Sequence, residues 1–415
     1  MARARYMARQ ERGAALLLVL LVVAVVTVLA TELAYDTRIS LQIAANARDE
    51  LRASYQARGA VALSRLVLHF QQRLDQAGGA ASQLLSGAAA AAGGPAAAAA
   101  GLPQGAFSFR LWEAIPVDSV AMGLLLGTGD AKARLASDAS FQATIEDEER
   151  KVNVSQLAGL STVSGAQLQR VLLAVRDPRF DVLFDREDEV GNRLSRRDVA
   201  VALRDWVDED STTSVIGLKP ASPFENGFGD ENQYYDRGED RYRAKNARFD
   251  SLDEIYLVAG VGDAFMAAFG DHLTVYPDVN ATTNINTSDR EQVLVNALLM
   301  SDPPGVPQPP LLDPAFPQKL DLALRLARPL PFMTITVQQF ATVLQALGVR
   351  VQPLFLQSQN TDTRSPFGNT SSTFTIRATG KAGGVERTID AVVTMDDRAG
   401  QLQGDLGRLL HWRED

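Results

Sequence analysis

No cysteine occurs anywhere in the 415 residues. That absence removes disulfide frameworks, thiolate zinc sites, iron–sulfur ligation and thiol nucleophiles together. Histidine is nearly missing as well. His69, His272 and His411 are the only three, and none has a Ser, Asp or Glu at a spacing that suggests a catalytic triad or a metalloprotease pair. Positive charge is in deficit: 41 Lys plus Arg stand against 50 Asp plus Glu, a formal net charge of −9. No overall field would gather nucleic acid, and none is expected as a partner. Glycine-rich phosphate loops are lacking too. Gly260-Val261-Gly262 has no third glycine of a dinucleotide fingerprint, and Gly380-Lys381 no earlier P-loop glycine. An enzyme is therefore not expected, nor a small-molecule substrate. Hydrophobic residues at 46% and charged residues at 22% are globular values, and the length suggests two or three domains of roughly 150 residues.

The N-terminus is the most informative stretch. Arg3, Arg5, Arg9 and Arg12 precede an uncharged run from Ala14 to Thr31 that Glu32 closes. At about 1.5 Å per residue this run reaches roughly 27 Å, close to a bilayer core of about 30 Å. It is long for a signal-peptide core of about 7 to 15 residues. The basic leader implies a cytoplasmic N-terminus, with the rest translocated. From Ala14 to Gln76 there is no proline and one glycine, Gly59, so nothing ends the helix at the lipid surface. One helix of about 60 residues, near 90 Å, is expected over 14–76. Leu63, Val67, Phe70 and Leu74 form its expected packing stripe.

Residues 77–106, rich in Ala and Gly and holding Pro95 and Pro103, read as a low-complexity spacer. The first part of a globular head follows at 107–154, with weak strand signals from Ser140 to Val154. Residues 155–330 carry helix starts at Ser195 with Asp198, Ser251 with Glu254 and Ser288 with Glu291. The remaining 331–415 begin with a capped helix at Thr336 with Gln339, ending at Gly348. The period then falls to 2: Phe374, Ile376 and Ala378 alternate with polar residues, and Gly383-Gly384 turns into Val385 to Met395. Leu409 to Trp412 is a candidate last strand.

The acidic stretches are the one candidate chemical site. Asp208 and Asp210 follow a helix, and Glu231 and Asp236 sit in a segment that reads as irregular. Several carboxylates there could converge on a hard cation, and calcium tolerates irregular loops with about six to eight oxygens. The alternative is a solvated acidic loop. The EF-hand pattern fails, since counting from Asp208 the sixth place lacks glycine and Lys219 stands at the twelfth. The turn from Leu257 to Gly262 resembles a helix-hairpin-helix DNA module, but Asp250, Asp253, Glu254, Asp263 and Asp271 surround it and would repel phosphate. A packing role fits it better.

Arg12-Gly13-Ala14 ahead of the apolar run resembles the leader of type IV pilin-like proteins. The resemblance implies cleavage after Gly13 by a prepilin peptidase, with Ala14 as a methylated mature N-terminus. Most such subunits carry Glu at mature position 5, where this chain has Leu18. The missing glutamate resembles the K-type minor pseudopilin of type II secretion. So do Asp205-Trp206-Val207-Asp208-Glu209-Asp210, Gly229 to Tyr235, Tyr242 to Asn246, Thr274-Val275-Tyr276-Pro277 and Asn284-Ile285-Asn286-Thr287. This resemblance implies an α+β fold: a pilin-like long N-terminal helix on a small antiparallel β-sheet, with a large inserted helical domain. It also implies calcium at Asp208, Asp210, Glu231 and Asp236, the other minor pseudopilins of the tip complex as partners, and an inner-membrane, single-pass protein with a periplasmic head. Its function would be to cap and initiate the pseudopilus, with Leu18 as the mark of the tip position. Alternatives are a minor pilin of a type IV pilus or DNA-uptake system, and a single-pass glycoprotein with an acceptor sequon at Asn369-Thr370-Ser371.

Overall fold

A computed structural model describes residues 2–92, 110–121, 139–159, 161–184, 187, 193–219, 222–236, 241–287, 289–328, 334–356, 365–396 and 406–415. Helix α1 (Ala2–Ala92) is followed by a short α2 (Leu111–Ala114) and by strands β1 (Val117–Asp118), β2 (Ala139–Asp147) and β3 (Val152–Asn153). Helices α3 (Ser161–Ala174), α4 (Asp181–Phe184) and α5 (Arg196–Val207) come next, then the hairpin β4 (Thr212–Lys219) and β5 (Ser222–Asp230). Helix α6 (Asp263–Phe269), strands β6 (Leu273–Thr274) and β7 (Thr283–Asn284), and helices α7 (Arg290–Met300), α8 (Phe316–Ala327) and α9 (Val337–Ala346) complete the middle. The chain ends with β8 (Phe367–Gly368), β9 (Thr373–Ala382), β10 (Val385–Thr394) and β11 (Arg408–Glu414). The fold is α+β, a long helix on an antiparallel sheet with further helices, as the resemblance implied.

The sheet has the order β1-β2-β9-β10-β11, with every pairing antiparallel. Strands β2 and β9 are direct neighbours although most of the helices lie between them in sequence. Alternation puts Phe374, Ile376 and Ala378 of β9 and Ile389, Ala391 and Val393 of β10 on one buried face. Gly383 takes the left-handed conformation, φ 56°, in the turn that joins those strands.

Helix α1 covers that face with a stripe that keeps Leu63 and Val67 of the expected one but not Phe70 and Leu74. Ala53, Ala57, Ala60, Val61, Ser64, Val67, Leu68 and Gln71 are buried, whereas Phe70 and Leu74 are exposed. The reason is backbone proximity: small residues let the helix axis come close to the sheet. A Cβ added at Gly380 would lie 2.0 Å from the Ala53 carbonyl oxygen and 2.5 Å from the Ala57 nitrogen. Polar groups then fix the azimuth. Gln71 Oε1 accepts from the Leu111 N–H at 2.7 Å, and Arg65 donates to the carbonyls of Leu406 and Gly407. The helix also runs past its expected end at 76 to Ala92, because alanine is the strongest helix former. Residues 93–106 of the expected spacer lie outside the described residues.

The helices form two further cores. One joins α3, α5 and α6 around Leu168, Leu203, Trp206 and Phe265. The other joins α7, α8 and α9 around Met300, Leu320 and Phe340. The Ser195/Asp198 and Thr336/Gln339 capping boxes are both formed. The Ser251 start is not: Ser251 makes no cap, and Leu252–Leu257 is 3-10 helix. Glu254 is drawn off to accept from the Asp250 N–H, the Trp206 indole and Lys245. Ser288 lies outside the described residues, and Asp289 caps α7 instead.

Where the chain leaves the sheet for the helices and returns, two buried carboxylates tie the crossings together. Asp147 accepts from the Asn284 amide at 2.9 Å and the Ser371 hydroxyl at 2.7 Å. Glu149 accepts from the Ser372 N–H and hydroxyl and from the Thr373 N–H. Burial and the Asp147 charge push the Glu149 carboxyl up to about 8.

Candidate metal centre

Helix α5 carries an amphipathic face whose buried members include Val199, Leu203 and Trp206. That burial turns its C-terminal acids inward: Asp205 sits one turn before Asp208, so both carboxylates lie on one side. The segment after the helix is not the irregular loop expected. It is the β4–β5 hairpin, and β5 delivers Glu231 as the first residue of a 3-10 turn, with Asp230 accepting from the Asn232 N–H at 2.9 Å. The ring of Trp206, the residue after Asp205, is held in an aromatic group. Tyr235, Tyr242 and Phe249 lie 5.4, 6.2 and 6.4 Å from its centroid.

Carboxylate oxygens of Asp205, Asp208 and Glu231 lie within 4.8 Å of one another. All three residues are buried, with relative exposures of 3%, 5% and 1%. Asp205 accepts from the Ser214 N–H at 2.9 Å, and one Asp208 oxygen lies 3.1 Å from Arg204 Nε. The other Asp208 oxygen and both Glu231 oxygens are buried with no hydrogen-bond partner among the described residues. Such orphaned acceptors cost free energy unless something occupies them. Burial, reinforced by the charges of Asp208, Asp205 and Asp210, pushes the Glu231 carboxyl up to about 8. Burial likewise lifts Asp205 and Asp208 to about 6, opposed by the Ser214 hydrogen bonds and by Arg204 respectively. Three acids held at this range, with acceptors unsatisfied, fit a hard cation bound through oxygens.

Of the four residues expected from sequence, Asp208 and Glu231 are brought together. Asp210 lies near enough to raise both of their carboxyls, but its own carboxylate accepts from the Thr212 N–H at 2.8 Å. Asp236 is exposed and stands 3.7 Å from Arg241. Asp205 was missed as a candidate ligand, although its i, i+3 spacing from Asp208 at a helix end was a usable signal. Beside Asp210, Asn246 has a left-handed backbone (φ 51°) and a buried Oδ1 without a hydrogen-bond partner among the described residues, while its amide donates to Ser211 Oγ and the Asp210 carbonyl.

The helix-hairpin-helix-like turn packs rather than projects. Gly260, φ 80°, lies so close to α5 that a Cβ would meet Val199 at 2.8 Å and Leu194 at 2.9 Å. At the other end of the chain Leu18 is exposed on α1, while the side chains of Gly13 and Ala14 fall outside the description.

The buried acidic cluster thus sits in an α+β head on a long helix, one segment of which is apolar enough to cross a membrane. Residues 150–278, which contain the whole carboxylate cluster, match the family model of type II secretion system protein K. The match covers about a third of the chain, and through this segment the chain is similar to protein K. A solved structure, the crystal structure of the GspK-GspI-GspJ complex from the enterotoxigenic Escherichia coli type 2 secretion system, is similar at 16% identity over 67% of this chain and 81% of that one, with a TM-score of 0.39. A likeness at that level decides nothing further about this chain. No curated protein matches.

Proposed function

We propose that this chain is a non-enzymatic minor pseudopilin that caps the periplasmic tip of a type II secretion pseudopilus. Its α1 would anchor it in the inner membrane, N-terminus in the cytoplasm, and join it to the other minor pseudopilins. One observation carries the reading: in a chain whose residues 150–278 match the protein K family model, Leu16 to Leu33 of α1 exposes every large apolar side chain. Such a surface is stable only in lipid or against other apolar helices. Calcium, held by Asp205, Asp208 and Glu231, would supply the positive charge those three acids lack.

Processing is the first test. With prepilin peptidase present, intact-mass spectrometry should give a mature chain starting at Ala14 with a methylated amino group. An uncleaved Met1, or an N-terminus near residue 35, contradicts the pilin-like reading.

The tip position is tested at Leu18. A subunit with none above it has no neighbouring amino terminus to neutralise, so a carboxylate there would be buried without its partner. Leu18→Glu should weaken co-purification with the other minor pseudopilins on the order of tenfold, since an unpaired charge among apolar helices costs more than about 1.4 kcal/mol. Secretion should fall in parallel. Unchanged secretion and unchanged co-purification would sink the capping assignment.

A further inference from the structure

A second charged feature lies away from the acidic cluster, between α7, α8 and the residues that open α2. There a cavity of about 850 Å³ is lined by both apolar and basic side chains. Val293, Leu320 and Leu324 are buried members of the α7–α8–α9 core and form its floor. Arg110, Arg290, Arg325 and Arg328 line it with only two acids, Glu113 and Asp321. In a chain of net charge −9 this is a local excess of positive charge.

The two acids are already engaged. Glu113 Oε1 accepts from Arg110 and from Arg150, each at 2.7 Å, and Asp321 pairs with Arg325 at 2.9 Å. Among the described residues the guanidinium groups of Arg290 and Arg328 have no carboxylate or carbonyl partner. Arg328 Nε is moreover buried and without a hydrogen bond. Its burial and the nearby Arg150 charge lower its proton affinity, against the pull of Glu113. A half-buried guanidinium in that state is a vacant fork for a planar anion.

We propose that this cavity docks an acidic peptide segment of a partner protein, with a carboxylate on Arg328 and Arg290 and a neighbouring aliphatic side chain on Leu320 and Leu324. Two features favour a peptide over a small anion. The cavity is far larger than one oxyanion requires, since a water occupies about 30 Å³ of liquid volume. The apolar floor would also contribute nothing to phosphate, whereas alternate acidic and aliphatic side chains use rim and floor together. The net negative charge and the lining acids weigh against a polyanion, which would have to approach Glu113 and Asp321 as well.

The test uses the full chain in detergent micelles and calorimetric titration with the peptide Leu-Glu-Leu-Asp-Leu and its neutral counterpart Leu-Gln-Leu-Asn-Leu. The acidic peptide should bind at least about tenfold more tightly, the size expected for one or two charge-assisted hydrogen bonds. Arg328→Gln and Arg290→Gln should each weaken it about fivefold or more. Arg290 is exposed, so Arg290→Gln remains informative if Arg328→Gln fails to fold. Equal binding of the two peptides, or unchanged affinity in the foldable variants, overturns the proposal. Inorganic phosphate binding as tightly as the acidic peptide at matched ionic strength would overturn it too, leaving a simple anion site.

Discussion

Leucine in place of Gly380 should unseat α1 from the sheet and lower the melting temperature by roughly 6–12 °C. The argument rests on which atoms stand in the way. The nearest neighbours of an added Cβ are the Ala53 oxygen and Ala57 nitrogen, both backbone atoms. No rotamer change on a neighbour can make room, so the helix itself must move. Overpacking typically costs about 1–3 kcal/mol, and a clash with rigid backbone belongs at about 3 kcal/mol. At about 2–4 °C per kcal/mol for a cooperative unit of about 150–250 residues, here α1 with the sheet it rides on, that cost gives the stated range. Gly384→Ala is the control, because nothing lies within 4 Å of its added Cβ. Thermal melting followed by circular dichroism in detergent distinguishes them: Gly380→Leu melting with wild type would mean that α1 does not ride on the sheet at this point.

Calcium should raise the stability of the full chain by about 2.7 kcal/mol at a hundredfold excess over its dissociation constant, and chelation should remove that gain. Magnesium should do less, since it demands a near-ideal octahedron and gives up water reluctantly. The metal-free protein carries a signature in pH. The Glu231 carboxyl is held up to about 8, above its ordinary value of about 4.3 in an unfolded chain. A carboxyl with a raised folded pKa favours the protonated native state, so metal-free stability should fall as pH rises from about 4.5 through about 8. Calcium should flatten that fall, and protons should compete with calcium at the acid end. Glu231→Gln separates this from a general loss of structure: without metal it should melt no lower than wild type at pH 8, yet lose the calcium response. Asp236→Asn, at an exposed residue paired with Arg241, tests whether that carboxylate contributes. A melting temperature indifferent to calcium in both wild type and Glu231→Gln would reduce the cluster to a structural acidic patch.

Those two sites also mark how much could be read before the structure. The strand period at Phe374, Ile376 and Ala378 and the Gly383-Gly384 turn were legible, because alternation and turn chemistry are local. So were the capping boxes at Ser195 and Thr336, whose partners lie three residues away. The packing stripe of α1 was misread because alanine carries almost no hydropathy contrast. Ala53 and Ala57 meet a glycine more than three hundred positions away, and no window on the helix contains that information. The β4–β5 hairpin was hidden for a different reason. Gly217, Pro223, Gly227 and Gly229 punctuate it like a loop, and only scattered apolar residues, Ile216 and Phe224, seat its paired strands on the helical core. Two of the cluster's three carboxylates, Asp208 and Glu231, were legible in the sequence, but Asp205 became a candidate ligand only when the hairpin returned Glu231 to the end of α5. Ser251 looked like a cap and was not, because Glu254 found better-placed donors in Trp206 and Lys245.

The clamp of Asp147 and Glu149 on Ser371 to Thr373 has a topological meaning. Since β2 and β9 are adjacent and antiparallel, everything from 148 to 372 is, from the sheet's standpoint, one oversized hairpin connection. The entropic cost of closing such a connection grows only with the logarithm of its length, about 0.6 kcal/mol per doubling. The sheet therefore scarcely registers how large its connection is, provided the two crossing points stay fastened. Segments added or removed far from Asp147 and Ser371 would leave the β2–β9 register where it is. The head thus separates into a frame of fixed register and a set of helices whose size the frame does not sense, with two carboxylates fastening one to the other.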